Sequence, residues 1–398
     1  MREKLDVFFD DLPEFDPVVF HERTDYGWRG LTAQGEVLEV RSSNGHTIEV
    51  PSNITVAHLG RPVGRRSVTN AWAGVNIDEY LAHFNQAVEF YKQNNLQQAL
   101  YAAEASLLAA PTLRAKFNRG MIRLAAGQWY AGFTDYGECE EHMPFMRPQV
   151  RTALDAGLTP WCGEDIRGKK LLVMHAHGFG DSIQCLRYVP ALRDMGADVR
   201  LWVPPELQPL AIQMAPLTHE GEDADYFCPL LHLLRWLCVK PNTVSGKPYL
   251  KVDPTGAINW GNQINPERQN IGLAWSIGKP SLGDYPREIP LRELVDYFGS
   301  DVDLYSVQVQ GAQEAQALGV KAFEFEDFAD CAALMSRMDQ IVSVDTAALH
   351  LAGAIGHPNV VGLLSHWHSW RWIAPWYESV RLLRQTAHGD WGSALAQL

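Results

Sequence analysis

Two stretches put reactive residue types where a strand hands over to a helix. In the later one, Ile341 to Val344 is a short β-branched run that reads as a buried strand, and Ala347 to Ala354 carries helix formers. Asp345-Thr346 between them supplies a helix start, so several backbone N–H groups without partners converge there, which suits a phosphate. His350 lies one turn beyond Thr346 on the same face, either as a ligand contact or as a core histidine. In the earlier stretch, Leu171 to Met174 reads as a strand running into His175-Ala176-His177-Gly178-Phe179-Gly180-Asp181-Ser182. The Asp181 carboxylate can accept a proton at the end of that strand, or it can cap a helix predicted over Ile183 to Met195. Gly178 and Gly180 allow a tight turn and close approach of a ligand.

The elements that must position these residues follow from the alternation around them. Val199 to Val203 reads as the strand after the first helix, completing a β–loop–α–β unit. A second alternation begins with the strand Ile271 to Trp275 and a polar loop, Ser276 to Arg287, in which Lys279 and Arg287 are the cations best placed to assist a phosphate, or else belong to a solvated loop. Ile289-Pro290-Leu291 opens a helix, Leu304 to Gln308 is a strand ending on a polar amide, and Phe328 begins the helix before Ile341. His366-Trp367-His368 has two histidines two apart, which share a face only in a strand, and no third ligand is evident. An aromatic cluster with Trp370 and Trp372 is the expectation there.

Residues 1–75 read as a small β-rich module, with Val37 to Val40 and Thr47 to Val50 as strands about an Asn44-Gly45 turn. Residues 78–145 read as helices with an internal repeat. Phe84-Asn85 recurs as Phe117-Asn118, Leu96 maps on Trp129, and the turns Asn94-Asn95 and Ala126-Gly127 correspond. That period is close to the roughly 34 residues of a tetratricopeptide unit. The first α/β domain is expected over 165–260 and the second over 265–398, with a ligand between them.

Composition bounds the rest. The chain has 398 residues, 46% of them hydrophobic, and 47 acidic against 34 basic residues give a formal charge of −13. That balance argues against a dominant nucleic-acid surface. Six cysteines without a C-x-x-C pair read as free thiols in a reducing compartment. No signal-peptide pattern and no membrane-length apolar run is present, so a cytoplasmic location is expected.

Several of these motifs together resemble a known family. Gly178 to Gln184, Arg187-Tyr188-Val189-Pro190, Gly196 to Val199, Val344 to Ala354, and Trp370-Arg371-Trp372 with Pro375-Trp376-Tyr377 are similar to tetratricopeptide-linked bacterial glycosyltransferases with a heptosyltransferase-like core. The similarity covers about residues 80–398. Members carry Glu-Gln where this chain has Ala176-His177. The resemblance implies an α/β protein of GT-B fold, two Rossmann-like domains preceded by the β-rich module and the tetratricopeptide-like helices. It implies transfer of a sugar from a nucleotide sugar to an acceptor hydroxyl, with inversion and with Asp181 as the base. The donor would be held by Lys279, Arg287, Gln308, Ser343, Asp345, Thr346, Ala347 and His350. The acceptor-side loop would contain His177, Gly178 and Gly180. No metal or other cofactor is expected. The acceptor stays open among a protein side chain, a saccharide or lipid-linked saccharide, and a modified nucleobase. A non-catalytic scaffold is the competing expectation.

Overall fold

The structure is a computed structural model that describes residues 18–24, 27–32, 37–41, 54–56, 75–142, 148–219, 223–277, 287–367 and 369–398. The chain divides into two compact units, residues 1–142 and 143–398.

In the first unit, strands β1 (Val18–Thr24), β2 (Gly27–Thr32), β3 (Val37–Arg41) and β4 (Ile54–Val56) form one sheet in that order. The first two pairings are antiparallel and β3–β4 is parallel. The expected strand at Val37 is thus β3, while the Asn44-Gly45 turn and the Thr47–Val50 strand lie outside the described residues. Four helices follow: α1 (Ile77–Lys92), α2 (Leu96–Ala109), α3 (Leu113–Ala125) and α4 (Trp129–His142). Asn76, Asn95 and Thr112 each cap a helix by accepting from the N–H three residues on. The repeat is visible in the backbone. Leu96 and Trp129, partners in the internal alignment, are both first residues of helices, and the corresponding Asn94 and Gly127 both take positive φ, 57° and 77°. Asp135 on α4, 3% exposed, accepts hydrogen bonds from Arg119 and Arg123 and so ties α4 to α3.

The second unit holds two parallel sheets. One runs β5 (Thr159–Pro160), β8 (Tyr226–Pro229), β6 (Lys170–Met174), β7 (Asp198–Trp202). The other runs β10 (Val302–Ser306), β9 (Gln269–Ala274), β11 (Gln340–Val344), β12 (Val360–Leu364), β13 (Val380–Arg384). In each sheet the first strand of the alternation is central, and the chain order reverses beside it: between β6 and β8, and between β9 and β11. Open α/β sheets place ligands outside the strand ends at such reversals. The central strands are apolar on both faces because helices cover both. Ile271, Leu273, Val342, Val344, Val361 and Leu363 form one core with Leu291 and Leu294 of the helix Leu291–Phe298. Strands β8, β12 and β13 were not anticipated. Pro229 ends β8, Gly362 interrupts the β12 run, and β13 is an edge strand broken by Arg381 and Arg384 at no period-2 spacing, so none carries a clean pattern. Among the described residues no helix is long and apolar enough to cross a membrane.

Candidate active site

The helix after β6 starts earlier and stops sooner than its pattern implies. It spans Phe179–Leu186 (α5), and a second helix, Val189–Asp194 (α6), follows a break at Arg187-Tyr188. Pro190 sits in the first turn of α6, where its missing N–H is harmless, but it could not continue α5. The N-cap of α5 is Gly178, with no side-chain cap. Asp181 therefore stands inside the first turn, and the capping role considered for it is excluded.

Its carboxylate goes elsewhere. Nε and Nη2 of Arg371 both lie 2.7 Å from Asp181 Oδ1. Burial by itself would raise the Asp181 carboxyl, since the residue is 8% exposed, but the Arg371 guanidinium outweighs it and holds the group at about 2. His177 and His350 add smaller effects of the same sign.

The strand-to-helix corner expected at Asp345-Thr346 is present, but without the expected side-chain cap. Helix α7 (Ala347–Ala354) follows β11, with Thr346 as N-cap in extended backbone. Thr346 makes no side-chain cap. Its hydroxyl lies 3.2 Å from Ser343 Oγ, which itself donates to the Val344 carbonyl, so Thr346 is the donor of that pair. Among the described residues, no side chain caps the first-turn amides of α7. Asp345, 5% exposed, lies 3.5 Å from Nη1 of Arg287. Lys279 lies outside the described residues.

His350 is a packed, neutral histidine. Its Nδ1 is 2.9 Å from the Tyr377 hydroxyl, and its ring stacks on Trp372 at 4.7 Å. Burial pushes the imidazole down to about 4, against a smaller opposing pull from Asp345 and Asp181. The first turn of α5 rests on this arrangement: a β-carbon at Gly180 would come within 2.9 Å of His350 Cδ2 and 3.5 Å of Ala347 Cα. Close approach of two helices, and not an unusual φ, is why glycine stands at 180. Gly178 is also free of positive φ, and a β-carbon there would meet nothing nearer than 3.5 Å.

The other expected residues are distributed around this point. The His177 ring lies 5.8 Å from that of His232, where the loops after β6 and β8 meet. The Gln308 amide is fully engaged within the protein. Its oxygen accepts from the amides of Trp275 and Ser276, and its nitrogen donates to Ser276 Oγ and the Gln310 carbonyl. It thereby organises the loop after β9, with no donor or acceptor left for a base. His366 contacts Gln385, Trp367 stacks on His388, and His368 lies outside the described residues. The expected aromatic cluster is thus divided, with Trp372 on His350 and Trp370 beneath the Arg371 guanidinium at 4.6 Å.

Three residues of the site had no role in the sequence reading. Arg371 pairs with Asp181. Arg187 donates to the carbonyls of Ser245 and Trp376, and its guanidinium lies over Tyr249 and Tyr377 at 4.5 and 4.9 Å. Gln184, wholly buried on the Asp181 face of α5, has neither its amide oxygen nor its nitrogen in a hydrogen bond among the described residues. Trp372 Nε1 and the Tyr188 hydroxyl are in the same condition. All lie inside motifs that carry the family resemblance, and that was the available signal.

No family model matches the chain. Protein FlbA of Caulobacter vibrioides is 24% identical over 372 residues, which cover 80% of this chain and 60% of that protein. Among solved structures, the family 9 glycosyl transferase of Veillonella parvula is similar at 12% identity with a TM-score of 0.43, over 56% of this chain and 88% of that one. The ADP-heptose lipopolysaccharide heptosyltransferase II of E. coli is similar at 15% identity with a TM-score of 0.41, over 57% and 94%.

Proposed function

We propose that residues 143–398 form a GT-B glycosyltransferase that moves a sugar from a nucleotide sugar to an acceptor hydroxyl. The observation that carries this reading is the contact of the α5 and α7 first turns at the strand ends. It brings a carboxylate, Asp181, beside helix amides that no described side chain caps, with Arg371 on Asp181 and Arg287 on Asp345. Buried polar atoms of Gln184 and Trp372, without hydrogen-bond partners among the described residues, support a polar ligand there.

In this mechanism the donor phosphate lies against the amides after Thr346, where the helix dipole and close cations favour the charge that develops as the sugar leaves. Arg287 and Lys279 supply cationic charge, and Asp345 holds sugar hydroxyls. Asp181 takes the proton of the acceptor hydroxyl while its oxygen attacks the anomeric carbon opposite the departing phosphate, which inverts the configuration. His350, neutral at physiological pH, acts as packing and as a hydrogen-bond partner. The tetratricopeptide-like helices favour a protein acceptor, with a saccharide as the next candidate, and the acidic balance disfavours a nucleic acid.

A specific observation favours the competing reading, a non-catalytic binding module: a carboxylate held at about 2 by an arginine is a weak base. Calorimetry of the full chain against nucleoside mono- and diphosphates, followed by hydrolysis and transfer assays with the matching nucleotide sugars, tests both. Binding with turnover supports the enzyme and binding without turnover the module. Absence of nucleotide binding rejects the donor site itself.

A further inference from the structure

The base proposed for this site is held by an arginine, and the geometry of that pair points to how it is released. We propose that Arg371 is a phosphate-binding residue of the donor site, which holds Asp181 while the site is unliganded and exchanges it for the donor phosphate on binding. This rests on the glycosyltransferase reading and adds to it a residue and an order of events.

The pair is strong in distance but not in fit. Two of the three guanidinium nitrogens, Nε and Nη2, converge on the single oxygen Oδ1 at 2.7 Å each, a geometry other than the two parallel bonds of a fork-to-fork pair. A phosphate offers two oxygens at the spacing of that fork and more charge, so it competes well for the same side chain. The main chain of Arg371 is pinned. Its N–H meets Ser369 Oγ, and its carbonyl accepts from the Trp376 indole. Only the side chain need move, and at 23% exposure it is more open than the Asp181 side chain at 10%. The new partner would be close. Gly180, next to Asp181, packs on Ala347, the first residue of α7, and Trp372, next to Arg371, stacks on His350 of the same helix. The amides that would hold the phosphate and the carboxylate that now holds the guanidinium thus share one neighbourhood.

The exchange changes the chemistry of Asp181. The other groups acting on it are His177 from the β6 loop and His350 from α7, and neither carries a fixed positive charge. Of the remaining arginines, Arg187 acts on Cys185 and His350, and Arg287 pairs with Asp345. Once Arg371 has turned to the phosphate, burial is the main remaining influence, and burial makes a carboxylate a better proton acceptor. The base is then competent only when a donor is present. No bond is made or broken in this step; one ion pair replaces another.

A double-mutant cycle on the full-length protein tests the exchange. Affinity is measured by calorimetry for the nucleotide that the wild type binds most tightly from a panel of nucleoside mono- and diphosphates. Asp181→Asn releases Arg371 in advance, so it should tighten binding about fivefold or more. In an Arg371→Met background the same substitution should change affinity by no more than about twofold, the usual limit of additivity. An equal gain in both backgrounds would mean that only general repulsion was removed, and it would overturn the exchange. No gain from Asp181→Asn alone would do the same. Should Arg371→Met fail to fold, Arg371→Lys in the same cycle should still cut the coupling by at least about half, because an ammonium lacks the fork; full coupling retained with lysine would overturn the proposal. A wild type that binds nucleotide but shows no coupling rejects the exchange alone, whereas one that binds no nucleotide rejects the donor site first.

Discussion

Gly180 and His350 touch: a β-carbon at position 180 would stand 2.9 Å from His350 Cδ2. His350 has little room to retreat, with Trp372 stacked on its ring and the Tyr377 hydroxyl on Nδ1. The contact joins a helix that follows the first parallel sheet to one that follows the second, at the point where both sheets reverse strand order.

Gly180→Ala is therefore expected to push these two helices apart. Overpacking of this kind costs about 1–3 kcal/mol, or roughly 2–4 °C of melting temperature per kcal/mol in a protein of this size. Turnover should fall with it, because the same shift separates Asp181 from the α7 amides. A melting temperature unchanged within about a degree would mean that the neighbours yield freely.

Gln184 separates stability from function. A buried amide without partners is destabilising by about 1–3 kcal/mol, and an apolar residue of similar shape removes that penalty. Gln184→Leu is expected to raise the melting temperature while weakening ligand binding. Calorimetry and thermal melts on one preparation check both. A variant that is less stable than the wild type would show that the amide has partners after all.

Acid should destabilise the protein in two steps. The folded His350 value of about 4 lies below its ordinary 6.5, so the unfolded chain binds the extra proton first. Stability is full above about 6.5 and falls as pH drops through 4, by on the order of 3 kcal/mol. Asp181, about 2 in the folded chain against 3.8, contributes above 3.8, and that contribution is lost as pH falls through 2, on the order of 2 kcal/mol. Denaturant melts from pH 7 to pH 4 on wild type and His350→Phe isolate the His350 part of the first step, which should be smaller in the variant; the remainder comes from His357, whose imidazole burial also pushes down.

Asp181→Asn keeps the size of the side chain, but it loses the charge that holds Arg371 and it cannot take up the acceptor proton. Turnover is expected to fall by about 10²–10⁴-fold, the usual worth of a positioned base. Near-normal turnover would remove Asp181 from the chemistry and direct attention to His175 or His177.

Local pattern was enough for much of this molecule. The apolar runs at Leu171, Ile271 and Ile341 read as buried strands, Ala347–Ala354 read as a helix with its correct ends, and the repeat of 33 positions, 84 to 117, is mirrored by left-handed turns at Asn94 and Gly127. These features depend on residues close in sequence. What needed tertiary structure was every fact that depends on a distant partner. The Asp181 first turn reads as a base with a cap as the alternative, and only Arg371, 190 residues away, decides what its carboxylate does. Gly180 reads as a flexible turn until His350, brought in from the other sheet, requires the missing β-carbon. Gln308 reads as a ligand contact until the Trp275 and Ser276 amides occupy it. Hydrogen-bond capacity and close packing are properties of pairs, and a sequence carries one member of each pair without its distance to the other.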